Sequence, residues 1–350
     1  MTDLPAGLRI VDPHIHQWDP FTTPKEVSGP AKLVRRLPFL RPVLMKLFPQ
    51  RDREFVGDPT HVINTYLPAD YRADAGDLPV ETVVHIEAGW ADHSPEGTAG
   101  ETAWVETLPF GTAGPALGAV VCHADPREAG IADVLDRNLA ASPRLRGIRC
   151  SAAHHPDPGV RDWNDEGLLS SPDFLRGFAA VAERGLSFEA WVYSHQLPEV
   201  VGLAQEYPET TFVLDHYGTP VGLFGPRGRR TGHTEADRRE ILARWSDDIA
   251  AVAALPNVVA KHSGLGMPVL GWDGPVSTAQ FRDTVAPLVS RTQELFGAER
   301  TLWASNFPMD KPIVPIRGLI EALLEILGPD VDSHQLLGGN ARRVYRLDNG

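Results

Sequence analysis

The feature that most constrains this chain is an alternation: eight short β-rich runs, separated by stretches long enough to hold a helix. They are LRIVDPHIH (8–16), ETVVHIEAG (81–89), ALGAVVCHA (116–124), LRGIRCSAA (145–153), LSFEAWVYS (186–194), TTFVLDHYG (210–218), NVVAKHSGL (257–265) and TLWASNFPM (301–309). Strands that alternate with helices pair in parallel through crossovers, and eight such units predict an α/β chain closed into a (β/α)8 TIM barrel. The stretch SPDFLRGFAAVAERG shows the helical grammar, with Ser171 or Asp173 to cap its start and Gly185 to end it. At 350 residues, 42% of them hydrophobic and 23% charged, the chain reads as a single barrel domain over 1–350 with a substantial core.

Polar residues gather at the C-terminal ends of these runs, where a parallel barrel opens its active-site mouth. In RIVDPHIHQWDP (9–20), side chains two apart share a strand face, so Asp12, His14 and His16 are expected to project together. Neutral imidazoles so spaced can bind one divalent ion, Zn2+ first among them; the alternative is a pair that binds substrate directly, without metal. The same alternation puts Phe212, Leu214 and His216 on one face, making His216 a third ligand or a hydrogen-bond donor to substrate. Its neighbour Tyr217 is a candidate for substrate contact. Glu87 alternates with His85 and either completes a metal site, positions water, or pairs with Lys261 or an arginine. Arg149 offers a planar guanidinium for a carboxylate. Lys261 offers a fixed cation for charge developing on a carbonyl oxygen. Both cations could instead neutralise buried carboxylates. Glu189 is a possible base beside Trp191 and Tyr193.

A long insertion, about 21–77, separates the first two runs and is expected to cap the barrel mouth. Its KLVRRLPFLRPVLMKLF is basic and apolar like a membrane or partner helix, but its internal prolines argue against one long helix. The loop GTPVGLFGPRGRRTGH (218–233) is either a lid whose arginines meet an anionic substrate or a solvated loop. Trp18, Trp163, Trp191 and Trp272 are candidates for an aromatic pocket, Trp191 in particular for substrate contact. The formal charge of −13 disfavours nucleic acid and anionic membrane surfaces and leaves a small molecule as the expected partner. Cys122 and Cys150 cannot build a disulfide scaffold. No signal-peptide pattern opens the chain and no apolar run is long enough to span a bilayer, so a cytoplasmic protein is expected, able to form a homo-oligomer. Motifs for a serine-hydrolase elbow, a phosphate loop or a dinucleotide fold are missing.

Taken in order, VDPHIHQWD, LRGIR, HQLPEV, VLDHYGTP, NVVAKHSGLGMP, LWASNFPMDK and GNARRVYRL resemble the amidohydrolase-2 branch of the amidohydrolase superfamily, over nearly the whole chain. The resemblance implies a TIM-barrel hydrolase, often a lactonase, with one divalent ion or none. It matches His216 to the histidine ending the family's sixth strand, and the branch's acidic lactones would suit Arg149. One residue departs from it. Many amidohydrolases carry an aspartate at the end of the eighth strand, as metal ligand and base; here Asn306 stands, and an amide cannot take a proton from water near neutral pH. Asp310, just beyond, is a candidate to supply the missing carboxylate, with Asn306 orienting water or the carbonyl.

The leading expectation is hydrolysis of a lactone, or a related cyclic ester or amide, carrying an acidic or polyhydroxylated group. The alternatives are non-oxidative decarboxylation of an aromatic or unsaturated acid on the same barrel, and a non-catalytic ligand-binding barrel that has lost its base.

Overall fold

The computed structural model describes residues 4–40, 47–92, 94 and 97–347. Eight strands follow one another around a single sheet in chain order, every neighbouring pair parallel: β1 (Ile10–Ile15), β2 (Val80–Ile86), β3 (Ala116–His123), β4 (Leu145–Arg149), β5 (Ser187–Ala190), β6 (Phe212–Leu214), β7 (Val258–His262) and β8 (Thr301–Trp303). The seam between β8 and β1 is drawn together just past the strand ends, where the His16 amide donates to the Phe307 carbonyl at 2.9 Å. The result is the expected (β/α)8 barrel. The helix after β4 begins as its sequence directs: Ser171 accepts from the Phe174 amide, Pro172 takes the first helical position, and Gly185 follows the end at φ +60°.

Strand alternation sorts the core into two layers. Val11, Val84, Val121, Val213, Val259 and Leu302 point into the barrel, and the C-terminal Ala341, Tyr345 and Leu347 plug its floor against them. Phe188, Phe212, Leu214, Ala260 and Trp303 point outward to the helical layer. Following the same alternation, Arg149, Glu189 and Lys261 face inward above the valines, where Arg149 and Glu189 lie side by side in register.

From the insertion, Ser28–Arg36 and Gln50–Val56 are short helices, consistent with prolines that bar a single long one; residues 41–46 of the basic apolar stretch lie outside the described residues. Phe48, Phe55, Val56 and Val62 from this segment reach the barrel mouth. Its last part is no cap: Pro68–Ala75 is the first outer helix, with Tyr71 fully buried in the outer core layer. Among the described residues no helix is long and apolar enough to cross a membrane.

Candidate functional site

Two departures from regular strand geometry bring the site together. In β1 the pairing register shifts between Asp12 and Ile15, so the row Asp12, His14, His16 is broken. The expectation that all three project together is corrected: Asp12 instead holds the barrel seam, accepting from the Ser305 amide at 2.9 Å and the Tyr71 hydroxyl at 2.6 Å. His14 and His16 stay at the mouth with ring centroids 4.9 Å apart. In β6, Phe212 and Leu214 face outward, so alternation would have carried His216 out with them. His216 instead adopts left-handed backbone geometry at φ +55°, and its ring comes to 4.7 Å from that of His14. Gly264, at φ +65°, leaves room for it: a Cβ there would collide with the imidazole.

The same turn exposes the residue that sequence reasoning missed. Asp215 lies inward above Val213, wholly buried, with its Oδ1 3.3 Å from His14 Nδ1 and 3.2 Å from Lys261 Nζ, and its Oδ2 3.7 Å from the Arg149 guanidinium. Neither carboxylate oxygen accepts a well-formed hydrogen bond. Against the upward push of burial, Lys261 and His14 hold its carboxyl well below the usual carboxylate range. Two cues pointed to it: a lone acid ending the apolar FVL run, and its place two residues after an inward valine.

Lys261 is the centre of this buried network. Its Nζ lies 2.5 Å from Glu189 Oε2 and 3.0 Å from His14 Nδ1, and the Tyr345 hydroxyl donates to the other oxygen of Glu189. Glu189 does face inward, but below the mouth, where burial lifts its carboxyl to about 8 while Lys261 pulls the other way. The imidazoles are neutral near pH 7. Burial, reinforced by Lys261, lowers His14 well below the usual value; burial and Arg149 bring His16 to about 3; burial brings His216 to about 4, with Asp215 opposing and Lys261 assisting. His16 donates from Nδ1 to the Ile86 carbonyl at 2.9 Å, which leaves Nε2 as an acceptor.

A cavity of about 380 Å3 opens over this network, lined by His16, His216, Glu87, Arg149, Asn306 and Trp191 among others. A larger groove of about 890 Å3, around Arg53, His61, Arg227 and Pro312, includes none of the strand-end residues. Glu87 and Arg149 enter the cavity as a pair: Arg149 donates from Nε to Glu87 Oε1 at 2.7 Å and from Nη2 to the Glu87 carbonyl at 2.8 Å. Burial raises Glu87, but Arg149 overrides it and brings the carboxyl to about 2. Arg149 is therefore neutralised within the protein rather than held open for a substrate carboxylate. His85 turns outward to Glu101, 3.2 Å away.

Three further expectations are corrected. Tyr217 does not face the cavity; it is fully buried against Trp245, with its hydroxyl on His262 Nδ1. Asp310 does not reach the mouth: it is wholly buried and off the cavity wall, accepting from the Asn306 amide at 2.8 Å and the Gly266 N–H at 2.9 Å. It is a clamp on Asn306, which lines the cavity at φ +56°. The loop 218–233 holds no arginine over the mouth: Arg227 is buried, donating to the Pro268 and Trp272 carbonyls. Trp18, Trp163 and Trp191 line the cavity together with Trp90, whereas Trp272 packs between Phe224 and Phe281.

His14, Asp215 and His216 present ligand atoms within 4.8 Å of one another. At that limit a guest equidistant from all three sits about 2.8 Å from each, a hydrogen-bond length; drawing in by less than about 1 Å reaches the Zn–N distance of about 2.0 Å. Two neutral imidazoles and a carboxylate lacking hydrogen-bond donors form a donor set that fits one divalent ion. The neighbouring Lys261 and Arg149 also balance the carboxylate's charge without one.

A sequence profile described as amidohydrolase matches residues 11–347. The chain belongs to the amidohydrolase family. This amidohydrolase is thus an enzyme of the hydrolase class, as its sequence motifs implied. It is 29% identical over 344 residues to "Uncharacterized protein y4mH" of Sinorhizobium fredii, covering 98% of this chain and 100% of that one. It is 28% identical over 287 residues to the L-fucono-1,5-lactonase of Burkholderia multivorans, covering 80% and 88%. Among solved structures, an amidohydrolase from Burkholderia multivorans with bound zinc superposes with a TM-score of 0.68 at 20% identity, over 97% of this chain and 99% of that one.

Proposed function

We propose that this amidohydrolase opens a lactone or related cyclic ester by attack of water at the barrel mouth. The observation that carries the reading is Asp215: a wholly buried, ionised carboxylate, ion-paired with Lys261 and Arg149 but accepting no well-formed hydrogen bond, beside His14 and His216. It supplies the acceptor that Asn306 cannot. The missing base that motivated the binding-protein reading is thereby supplied.

In the proposed step, water oxygen bonds to the acyl carbon while its proton passes to Asp215. The acyl carbon–ring oxygen bond then breaks, and the ring oxygen leaves as a hydroxyl with that proton, giving a hydroxy acid. His16 Nε2, an acceptor on the cavity wall, orients the water. Lys261 supplies fixed positive charge beneath the carbonyl as negative charge develops on its oxygen. Asn306, clamped by Asp310, and His216, braced 2.9 Å from Ser263 Oγ, flank the substrate. His14, Asp215 and His216 would hold a divalent ion, zinc being the one the Burkholderia structure carries; such an ion polarises a carbonyl and lowers the pKa of bound water.

The test is a panel of lactones and unsaturated or aromatic acids followed by mass spectrometry, with elemental analysis of the purified protein and assay after chelation. Gain of one water by a lactone is expected, together with a divalent ion at one per chain. Carbon dioxide release from an acid without lactone opening would overturn the reaction, and full activity in metal-free protein would overturn the ion.

A further inference from the structure

We propose that the substrate carries a flat aromatic group, selected by a box of Phe55, Trp163 and Trp191. The reacting end of that substrate rests on the lactone reading above; the box rests on its own geometry. Its three rings come from three segments: the insertion, the loop after β4 and the end of β5. They meet edge to face, with centroids 5.3 Å apart for Phe55 and Trp163, 5.7 Å for Phe55 and Trp191, and 5.1 Å for the two indoles. All three line the cavity that holds His16, His216 and Asn306, and Met267 and Val56 extend the same apolar wall.

The rim is held in place rather than left loose. Trp163 is 37% exposed, a large apolar ring at the opening, and the Arg161 guanidinium stacks 4.0 Å from its centroid while tied to Asp52 at 2.8 Å. The polar side chains beside the three rings are already engaged within the protein, whereas elsewhere in the cavity Trp90 Nε1 and His16 Nε2 stay open. Arg149 is held by Glu87 and Arg161 by Asp52; Asn164 accepts from Arg127 and donates to the Ser151 carbonyl; Lys25 donates to the Ala88 carbonyl. A polyhydroxylated lactone would bring a hydroxyl on nearly every carbon into a wall with few open partners, and unpaired burial of each is costly. An aryl group would bury its surface against the open face of Trp163 and the apolar wall that Phe55, Trp191, Val56 and Met267 complete, at no such cost. The rings therefore favour an aromatic substituent over the acidic or polyhydroxylated one expected from the sequence.

The experiment compares kcat/KM for γ-phenyl-γ-butyrolactone, unsubstituted γ-butyrolactone and galactono-1,4-lactone in the wild type, Trp163→Ala and Phe55→Leu, with unfolding midpoints to verify folding. In parallel, 3-phenylpropionate and gluconate are titrated calorimetrically into the same proteins. The expected result is a preference for the phenyl lactone of about tenfold or more, with the ratio of phenyl to unsubstituted kcat/KM collapsing toward one in the variants. Faster turnover of galactonolactone would overturn the aromatic box while leaving the lactonase reading intact. If no lactone is opened, that reading fails and binding decides: 3-phenylpropionate held by the wild type and lost in Trp163→Ala supports the box, and its failure to bind the wild type overturns it.

Discussion

Replacing Lys261 by methionine removes the cation placed between two buried carboxyl groups. Its Nζ has no exposure and sits 2.5 Å from Glu189 and 3.2 Å from Asp215. At an effective dielectric of about 20, the contact with the ionised Asp215 carries roughly 5 kcal/mol of attraction, most of which only offsets the desolvation of the charges, and the contact with Glu189 becomes a full ion pair only above about pH 8, where that carboxyl ionises. Removing one partner leaves the other charges uncompensated, so Lys261→Met should cost about 3–5 kcal/mol in urea unfolding at pH 7, a large share of a typical stability of about 5–15 kcal/mol. Glu189→Gln alone should cost less, because Lys261 keeps Asp215 and His14. Measured at about pH 9, where Glu189 is ionised, the double variant should cost less than the sum of the singles by at least about 1 kcal/mol, since the carboxylate left uncompensated by the first change is absent in the second. The pH dependence has a definite sign. Glu189, lifted to about 8 in the folded protein from about 4.5 unfolded, contributes stability that is fully present below 4.5 and lost as pH rises through 8. Glu189→Gln should flatten that decline. Additivity of the two substitutions within about 0.5 kcal/mol would refute the idea that one cation organises the floor of the site.

Other substitutions test the corrected roles. Tyr217→Phe should lower stability by about 1–2 kcal/mol through the lost partner of His262, with kcat/KM changed by less than about threefold; a large KM effect would return Tyr217 to the substrate. Asn306→Asp should not improve catalysis, because it places a second carboxyl about 2.8 Å from Asp310, which burial already lifts to about 7; the pair shares a proton, and thermal stability should fall more steeply than in the wild type as pH rises from 6 to 8. Asp157→Ala should open the loop 218–233 to limited proteolysis, since Asp157 accepts from the Arg229 and Arg230 amides and the Thr231 hydroxyl; unchanged digestion would show that the loop is held elsewhere.

What was legible in the sequence follows from which forces act locally. The barrel could be read because strand and helix periods are set by burial within each run, and residues such as Val213, Val259 and Leu302 obey it. His14, His16, His216 and Asn306 could be placed at the mouth because they end such runs. The handedness of a single residue could not: His216 at φ +55° reverses the face that alternation assigns, and so hid Asp215 one position before it. Nor could pairing between distant segments be read. Arg149 looked open in LRGIR, Asp310 looked open after SNFPM, and only the fold brings Glu87 to the first and the Asn306 amide to the second. Charges buried in one basin find one another, and that choice of partner is tertiary.

The central claim concerns the buried carboxylate at the end of β6, and Asp215→Asn examines it with the smallest change of shape. With circular dichroism and unfolding midpoint showing a folded protein, kcat/KM on a lactone opened by the wild type should fall by about 10²–10⁴. Retention of activity within a few-fold of wild type would contradict the account.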